Sequence, residues 1–165
     1  IAATPLPTLG REAWGLFHLD RVWPRSCYGR QFGQQTQAQA VEVLMGACLL
    51  LRRVAVDAGG LFDERFFMYS EEVDLCTRLR AGGWGIDYLP TVQVTHYGGQ
   101  STRQVAEAMF LELYRSKVLY FRKHEGERVA GQYKRLLWLA ALARRLAGGE
   151  RGQRYRLLME HLGGF

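Results

Sequence analysis

The residues in this chain best suited to chemistry are two adjacent acids, Glu71 and Glu72, in the run Phe66-Phe67-Met68-Tyr69-Ser70-Glu71-Glu72-Val73-Asp74-Leu75-Cys76. The spacing predicts a helix from Glu71 to Ala81 with Ser70 as its N-cap. Both carboxylates then fall in the first turn, where the helix dipole favours negative charge. At about 100° per residue Glu72 shares a face with Leu75, Cys76 and Leu79, whereas Glu71 aligns with Asp74 and Arg78. Glu72 is therefore expected to lose part of its hydration, which raises a carboxylate pKa, while the helix end opposes the rise. A carboxylate so placed can take a proton as a general base. The other reading is that the two acids only stabilise the helix terminus. Asp74 and Arg78, four residues apart, are expected to pair.

A second candidate is His96, set before the glycine-bearing tract Tyr97-Gly98-Gly99-Gln100-Ser101-Thr102. Strand ends followed by Gly-rich loops are where α/β folds place ligands, and the glycine pair permits close backbone approach to a phosphate. A lone histidine also serves as a satisfied structural residue, and both readings stand. Asp63 and Glu64 follow Gly59-Gly60, a setting that suits turn formation as well as binding. There is no H-E-x-x-H, no G-x-S-x-G and no second histidine near His96, so zinc-protease and serine-hydrolase chemistry drop out.

Several elements must position these groups. Val41 to Leu51 is nearly continuously apolar, as in a strand buried on both faces. Arg52 to Ala58 reads as a short helix stopped by Gly59-Gly60. Trp84 to Leu89 and Thr91 to Thr95 read as short strands broken by Pro90. Strands that return after helices indicate an α/β class. From about Thr102 long helices take over. Ala106, Phe110, Leu113, Tyr114 and Phe121 share one face, interrupted by Lys117. Tyr133, Leu137, Ala140 and Ala141 share another, before Arg144-Arg145, and a last helix is expected from Gln153 to Leu162.

The chain has 165 residues, 48% of them hydrophobic, which suits one folded domain and excludes a disordered chain. No apolar run approaches the roughly 20 residues that a membrane-crossing helix needs. Cys27, Cys48 and Cys76 lack C-x-x-C spacing, which argues against a zinc site or disulfide framework and suggests buried thiols. The start, Ile1-Ala2-Ala3-Thr4-Pro5-Leu6-Pro7, has no signal-peptide pattern and reads as the interior of a longer protein. Residues 1–102 hold 9 basic and 10 acidic side chains and residues 103–165 hold 13 and 6, so the whole net charge of +6 arises in the second segment. The division expected is a loop-rich lead-in over 1–40, an α/β segment over 41–102 and a basic amphipathic helical tail over 103–165.

The order of Gly46-Ala47-Cys48-Leu49-Leu50-Leu51-Arg52-Arg53, Gly59-Gly60-Leu61-Phe62-Asp63-Glu64, the Phe66 to Arg78 run, Gly83-Trp84 and His96 through Ser101 resembles the family 2 glycosyltransferases. The rhamnosyltransferase-like enzymes of bacterial cell-surface polysaccharide synthesis are the branch it is most similar to. Residues 41–123 carry the match. The resemblance implies a glycosyltransferase A fold, with a nucleotide-sugar donor across the carboxyl ends of a mostly parallel sheet. It also implies a divalent cation, Mg or Mn, held by an Asp-x-Asp motif, and a carboxylate that deprotonates the acceptor hydroxyl for inverting transfer. By this resemblance Glu72 is the base, preceded by Glu71, where the family usually has the Asp of a Glu-Asp pair. His96 falls at a metal ligand of some members. Asp63 falls on the acceptor side, Gly46 and Ala47 near the substrate, and Arg78, Ser101 and Arg103 where phosphate or substrate is contacted.

No Asp-x-Asp occurs, and the nucleotide-binding half that precedes this region in the family is expected to lie outside this sequence. The chain is therefore expected to be the C-terminal half of the sheet plus a helical tail, weakly active or inactive alone, with the main metal ligands elsewhere. Exposed sheet edges would favour a homo-oligomer. The partners expected are a nucleotide-sugar donor, a glycan or lipid-linked acceptor and, through the basic tail, an anionic membrane surface. Nucleic acid is not expected, because no motif that reads it is present. The implied location is cytoplasmic, at the inner face of the plasma membrane. The alternative to an enzyme is a non-catalytic interaction or membrane-surface module retained from one.

Overall fold

The computed structural model describes residues 3–19, 37–96, 105–146 and 149–165. These fall into two compact units. One comprises residues up to Pro7 and 37–96, and the other 8–19 and 105–165. The class is mixed α/β, mostly helical with small sheets.

In the first unit the strands are short: β1 (Ala3–Thr4), β2 (Gln39–Ala40), β3 (Val43–Leu44) and β4 (Asp87–Tyr88). They form two antiparallel ladders, β1 on β3 (Ala3 opposite Leu44) and β2 on β4 (Gln39 opposite Tyr88). The mostly parallel sheet implied by the family resemblance is absent from the described residues. So is the long strand expected over Val41 to Leu51, because only Val43–Leu44 is paired. Leu49 and Leu51 turn inward onto a cluster of Ala55, Leu75 and Leu79, joined by Trp84. Between them Leu50 is 96% exposed. The inside-outside alternation of a strand is present, but no described strand lies alongside to bond it. Likewise, of the strands expected over Trp84–Leu89 and Thr91–Thr95, only Asp87–Tyr88 is paired. Residues 91–96 are exposed and outside any ladder.

The helices of this unit match the pattern closely: α2 (Arg53–Gly59) and α3 (Glu71–Ala81). Gly60 follows α2 with φ +74°, a left-handed conformation that glycine adopts without a Cβ penalty. Asp74 is fully buried, and Arg78 donates to it at 2.9 Å. Arg78 also donates to the carbonyls of Gly59 and Leu61. The expected ion pair is thus also a clamp between α3 and the turn that follows α2. Cys76 is buried as expected, but Cys48 is exposed in the turn after β3. Cys27 lies outside the described residues.

The second unit contains α1 (Leu9–Leu16), α4 (Ala106–Glu125), α5 (Glu127–Leu146), α6 (Gly149–His161) and a 3-10 turn (Leu162–Gly164). Thr8 caps α1, accepting from the Arg11 amide at 3.2 Å. The last helix starts at Gly149, ahead of the expected Gln153. Tyr133, Leu137, Ala140 and Ala141 are all buried, as their spacing requires, and the Tyr133 ring lies 4.8 Å from that of Phe121. Lys117, which breaks the apolar stripe of α4, meets Glu12 of α1 at 2.7 Å, and the Tyr133 hydroxyl donates to the same carboxylate at 3.2 Å. Glu12 is only 4% exposed. A buried carboxylate requires such partners, and removing one strands the charge.

Lys117→Met is therefore expected to destabilise the protein by about 3 kcal/mol in urea unfolding. Adding Glu12→Gln should recover most of that loss, since no buried charge then remains. Additive losses in the double variant would show that the pair acts through packing alone.

Candidate active site

Helix α3 is entered through two residues with left-handed backbone, Tyr69 (φ 66°) and Ser70 (φ 62°), neither of them glycine. Such conformations cost of order 1 kcal/mol each and persist only where the surroundings impose them. Ser70 does not cap the helix with its hydroxyl, contrary to expectation. An N-cap side chain reaches its amide from an extended backbone, and the left-handed turn removes that geometry. Ser70 instead opens the helix through its carbonyl, which accepts from the Asp74 amide at 2.8 Å.

The first two side chains after this turn are Glu71 and Glu72. One oxygen of each, Oε2, is buried without a hydrogen-bond partner among the described residues. Burial raises the Glu72 pKa above its ordinary value, the neighbouring charge of Glu71 raises it further, and the backbone amides of Glu72 and Val73 oppose the rise. The opposing terms are those expected from position on the helix, with desolvation winning. The helix period places the two acids on separate faces, yet each carries a buried oxygen. Further along the Glu72 face, burial also raises the Cys76 thiol pKa, opposed by the backbone of Leu44.

Gly46 stands beside the base candidate. A Cβ built on Gly46 would lie 3.5 Å from the Glu72 Cβ and 4.0 Å from its Cγ. Gly46 and Ala47 form an exposed turn after β3. The structure therefore brings Gly46, in an exposed turn, beside Glu72, with Glu71 next to it in the chain.

The other sequence candidates are placed differently. Asp63 is held by Arg65, whose guanidinium donates at 3.0 and 2.6 Å to its two oxygens, while the Arg65 amide donates to Oδ1 at 3.1 Å. That is the arrangement of a turn-forming aspartate. Arg78, proposed for phosphate, has its donors engaged by Asp74 and the carbonyls of Gly59 and Leu61. Three of its five N–H donors thus tie α3 to the turn after α2. His96 is exposed at the end of 91–96. Ser101 and Arg103 lie outside the described residues. Among the described residues no three His, Cys, Asp or Glu side chains converge to hold a metal. The described residues thus form no divalent-cation site by themselves.

Two features were missed from sequence. Nothing in Tyr69-Ser70 signals a left-handed pair. The neighbourhood of Gly46 and Glu72 is a long-range contact, for which the only local sign is a glycine between a strand and a helix.

Over 131 residues, 76% of this chain and 42% of the relative, the sequence is 34% identical to the N-acetylglucosaminyl-diphospho-decaprenol L-rhamnosyltransferase of Mycobacterium tuberculosis, with the same figures in strains CDC 1551 / Oshkosh and ATCC 25618 / H37Rv. It is 37% identical over 49 residues, 30% of this chain and 19% of the relative, to Rhamnosyltransferase WbbL of Escherichia coli strain K12. No family model and no solved structure matches the chain. The chain spans less than half the length of the mycobacterial relatives. Over the aligned span, it belongs to the rhamnosyltransferase branch of the glycosyltransferases.

Proposed function

We propose that this chain forms the acceptor-side part of an inverting rhamnosyltransferase in which Glu72 is the general base. The observation that carries the reading is a carboxylate with one oxygen buried and unpartnered, its pKa raised, at a strained helix entry beside the open turn at Gly46. In the reaction, the acceptor hydroxyl oxygen attacks the anomeric carbon of a nucleotide-diphospho-rhamnose. The bond from that carbon to the diphosphate oxygen breaks, its electron pair leaves with the diphosphate, and the hydroxyl proton passes to Glu72. Attack opposite the leaving group inverts the anomeric centre.

Glu71 has a supporting part: its charge keeps Glu72 a stronger base than an isolated carboxylate. The acceptor class is supported by the name of the mycobacterial relatives, which carries a diphospho-decaprenol-linked N-acetylglucosamine. A lipid-linked glycan is accordingly the acceptor on this reading. The glycosyltransferase A fold is supported by the extended but unladdered Leu49–Leu51 segment, which is what a sheet strand looks like without its neighbours. The donor-binding strands and any cation ligands then belong to a complementary part of the fold.

The test is turnover in the protein that contains this chain, with nucleotide-diphospho-rhamnose and polyprenyl-diphospho-N-acetylglucosamine. Glu72→Gln is expected to lower kcat by about 1000-fold with donor Kd little changed, within the range for loss of a general base. Turnover near the parent's would remove Glu72 from the mechanism. The acid limb of the kcat profile should lie above the ordinary carboxylate range and shift to lower pH in Glu71→Gln.

The same shift has a stability consequence. A carboxyl whose folded pKa exceeds its unfolded value binds its proton more tightly when folded, so its stabilising contribution is present at low pH. That contribution is lost as pH rises from the ordinary value through the raised one. Glu72→Gln should therefore raise Tm at pH 7 and leave it nearly unchanged at pH 4. An equal effect at both pH values would count against a raised pKa.

A further inference from the structure

The excess positive charge of the second unit is unevenly used. Lys117 pairs with Glu12, Arg115 with Glu112, Arg122 with Glu127 and Arg156 with Glu160. Arg144, next to Arg145 in the sequence, is engaged inside the unit. It donates to the Leu16 carbonyl, lies 3.1 Å from the His18 ring nitrogen and stacks 4.9 Å from the Tyr155 centroid. Arg128, Arg135 and Arg145 are different. All three are exposed on α5, and none has an ion pair or hydrogen bond among the described residues.

Their placement follows the helix period. Arg128, Arg135 and Leu139 recur at spacings of seven and four along one exposed stripe. Trp138 and Arg145, seven apart, flank it. Trp138 is 44% and Leu139 49% exposed. Five of the residues of α5 are basic and one, Glu127, is acidic, and that acid is already paired with Arg122. A merely solvated helix face carries acids three or four residues from its arginines, as α4 and α6 do. This one instead combines unpaired arginines with an exposed indole and leucine. That is the composition of a helix lying in the headgroup region of a bilayer. Among the described residues no helix is long and apolar enough to cross a membrane, so the attachment inferred is to a surface.

We propose that the outer face of α5 docks on an anionic lipid surface, with Arg128, Arg135 and Arg145 against the headgroups and Trp138 and Leu139 inserted at the acyl boundary. Charge complementarity selects this occupant over a neutral membrane. The exposed apolar pair selects it over a soluble polyanion, which would need the arginines alone. The inference is independent of the assignment of Glu72, since none of these residues belongs to the proposed site.

The test is co-sedimentation of the protein with vesicles of phosphatidylglycerol and phosphatidylcholine in equal parts, and with phosphatidylcholine alone, at low and high salt. The protein should pellet with the anionic vesicles only, and high salt should weaken the binding. With each arginine worth roughly fivefold near an anionic surface, the triple Arg→Gln variant should bind about 100-fold more weakly. Vesicles should also blue-shift tryptophan emission, and Trp138→Phe should abolish that shift. Should the triple variant not fold, Arg135→Gln with Trp138→Ser supplies the comparison at two exposed positions. Equal pelleting with neutral vesicles, or unchanged affinity in the variants, would overturn the proposal. Binding to heparin at least as tight as to vesicles, with no blue shift, would also overturn it and assign the face to a polyanion.

Discussion

Asp74 is sealed from water, and the guanidinium of Arg78 is what makes that burial tolerable. A carboxylate with no exposure must be neutralised and hydrogen-bonded or it abandons its charge. Arg78 supplies the opposing charge from one turn away on the same helix and also donates to the carbonyls of Gly59 and Leu61. One side chain thereby ties α3 to the turn after α2 while Leu75 and Leu79 pack on Ala55 from the same helix. With α3 fixed on two sides, its first turn has little freedom, and the left-handed Tyr69-Ser70 entry is held despite its cost.

The second unit applies the same rule to a different set of elements. Glu12 on α1 is buried, and its partners come from Lys117 on α4 and Tyr133 on α5. Three helices converge on one carboxylate. Each buried acid serves as a fixed point around which apolar faces assemble, and its cost is offset only when every partner is in place. The difference between the units lies in reach. Asp74 and Arg78 are four residues apart, while Glu12 draws on groups from the far end of the sequence.

At the candidate site the logic is inverted. Among the described residues Glu71 and Glu72 each keep a buried oxygen without a hydrogen-bond partner. A buried carboxylate oxygen without a partner works against stability. Aromatic and leucine side chains around the turn, Phe62, Phe67 and Leu61 among them, remain exposed.

Patterns of local period were legible from the sequence. The bounds of α3, the short α2, the Asp74–Arg78 pair, the buried stripe of α5 and the family kinship all rest on spacings within a few turns or on ordered motifs. Such features are decided by backbone geometry and hydrophobic periodicity, which neighbouring residues carry with them. Apolarity alone misled at Leu49–Leu51, because a run of leucines states that some side chains are buried but not that another strand lies alongside. The left-handed entry to α3, the engagement of Arg78, Asp63 and Arg144, the approach of Gly46 to Glu72 and the Glu12–Lys117 pair were decided by tertiary structure. Each depends on what distant segments bring within a few ångströms, where desolvation and charge pairing act, and a linear sequence holds no measure of that distance.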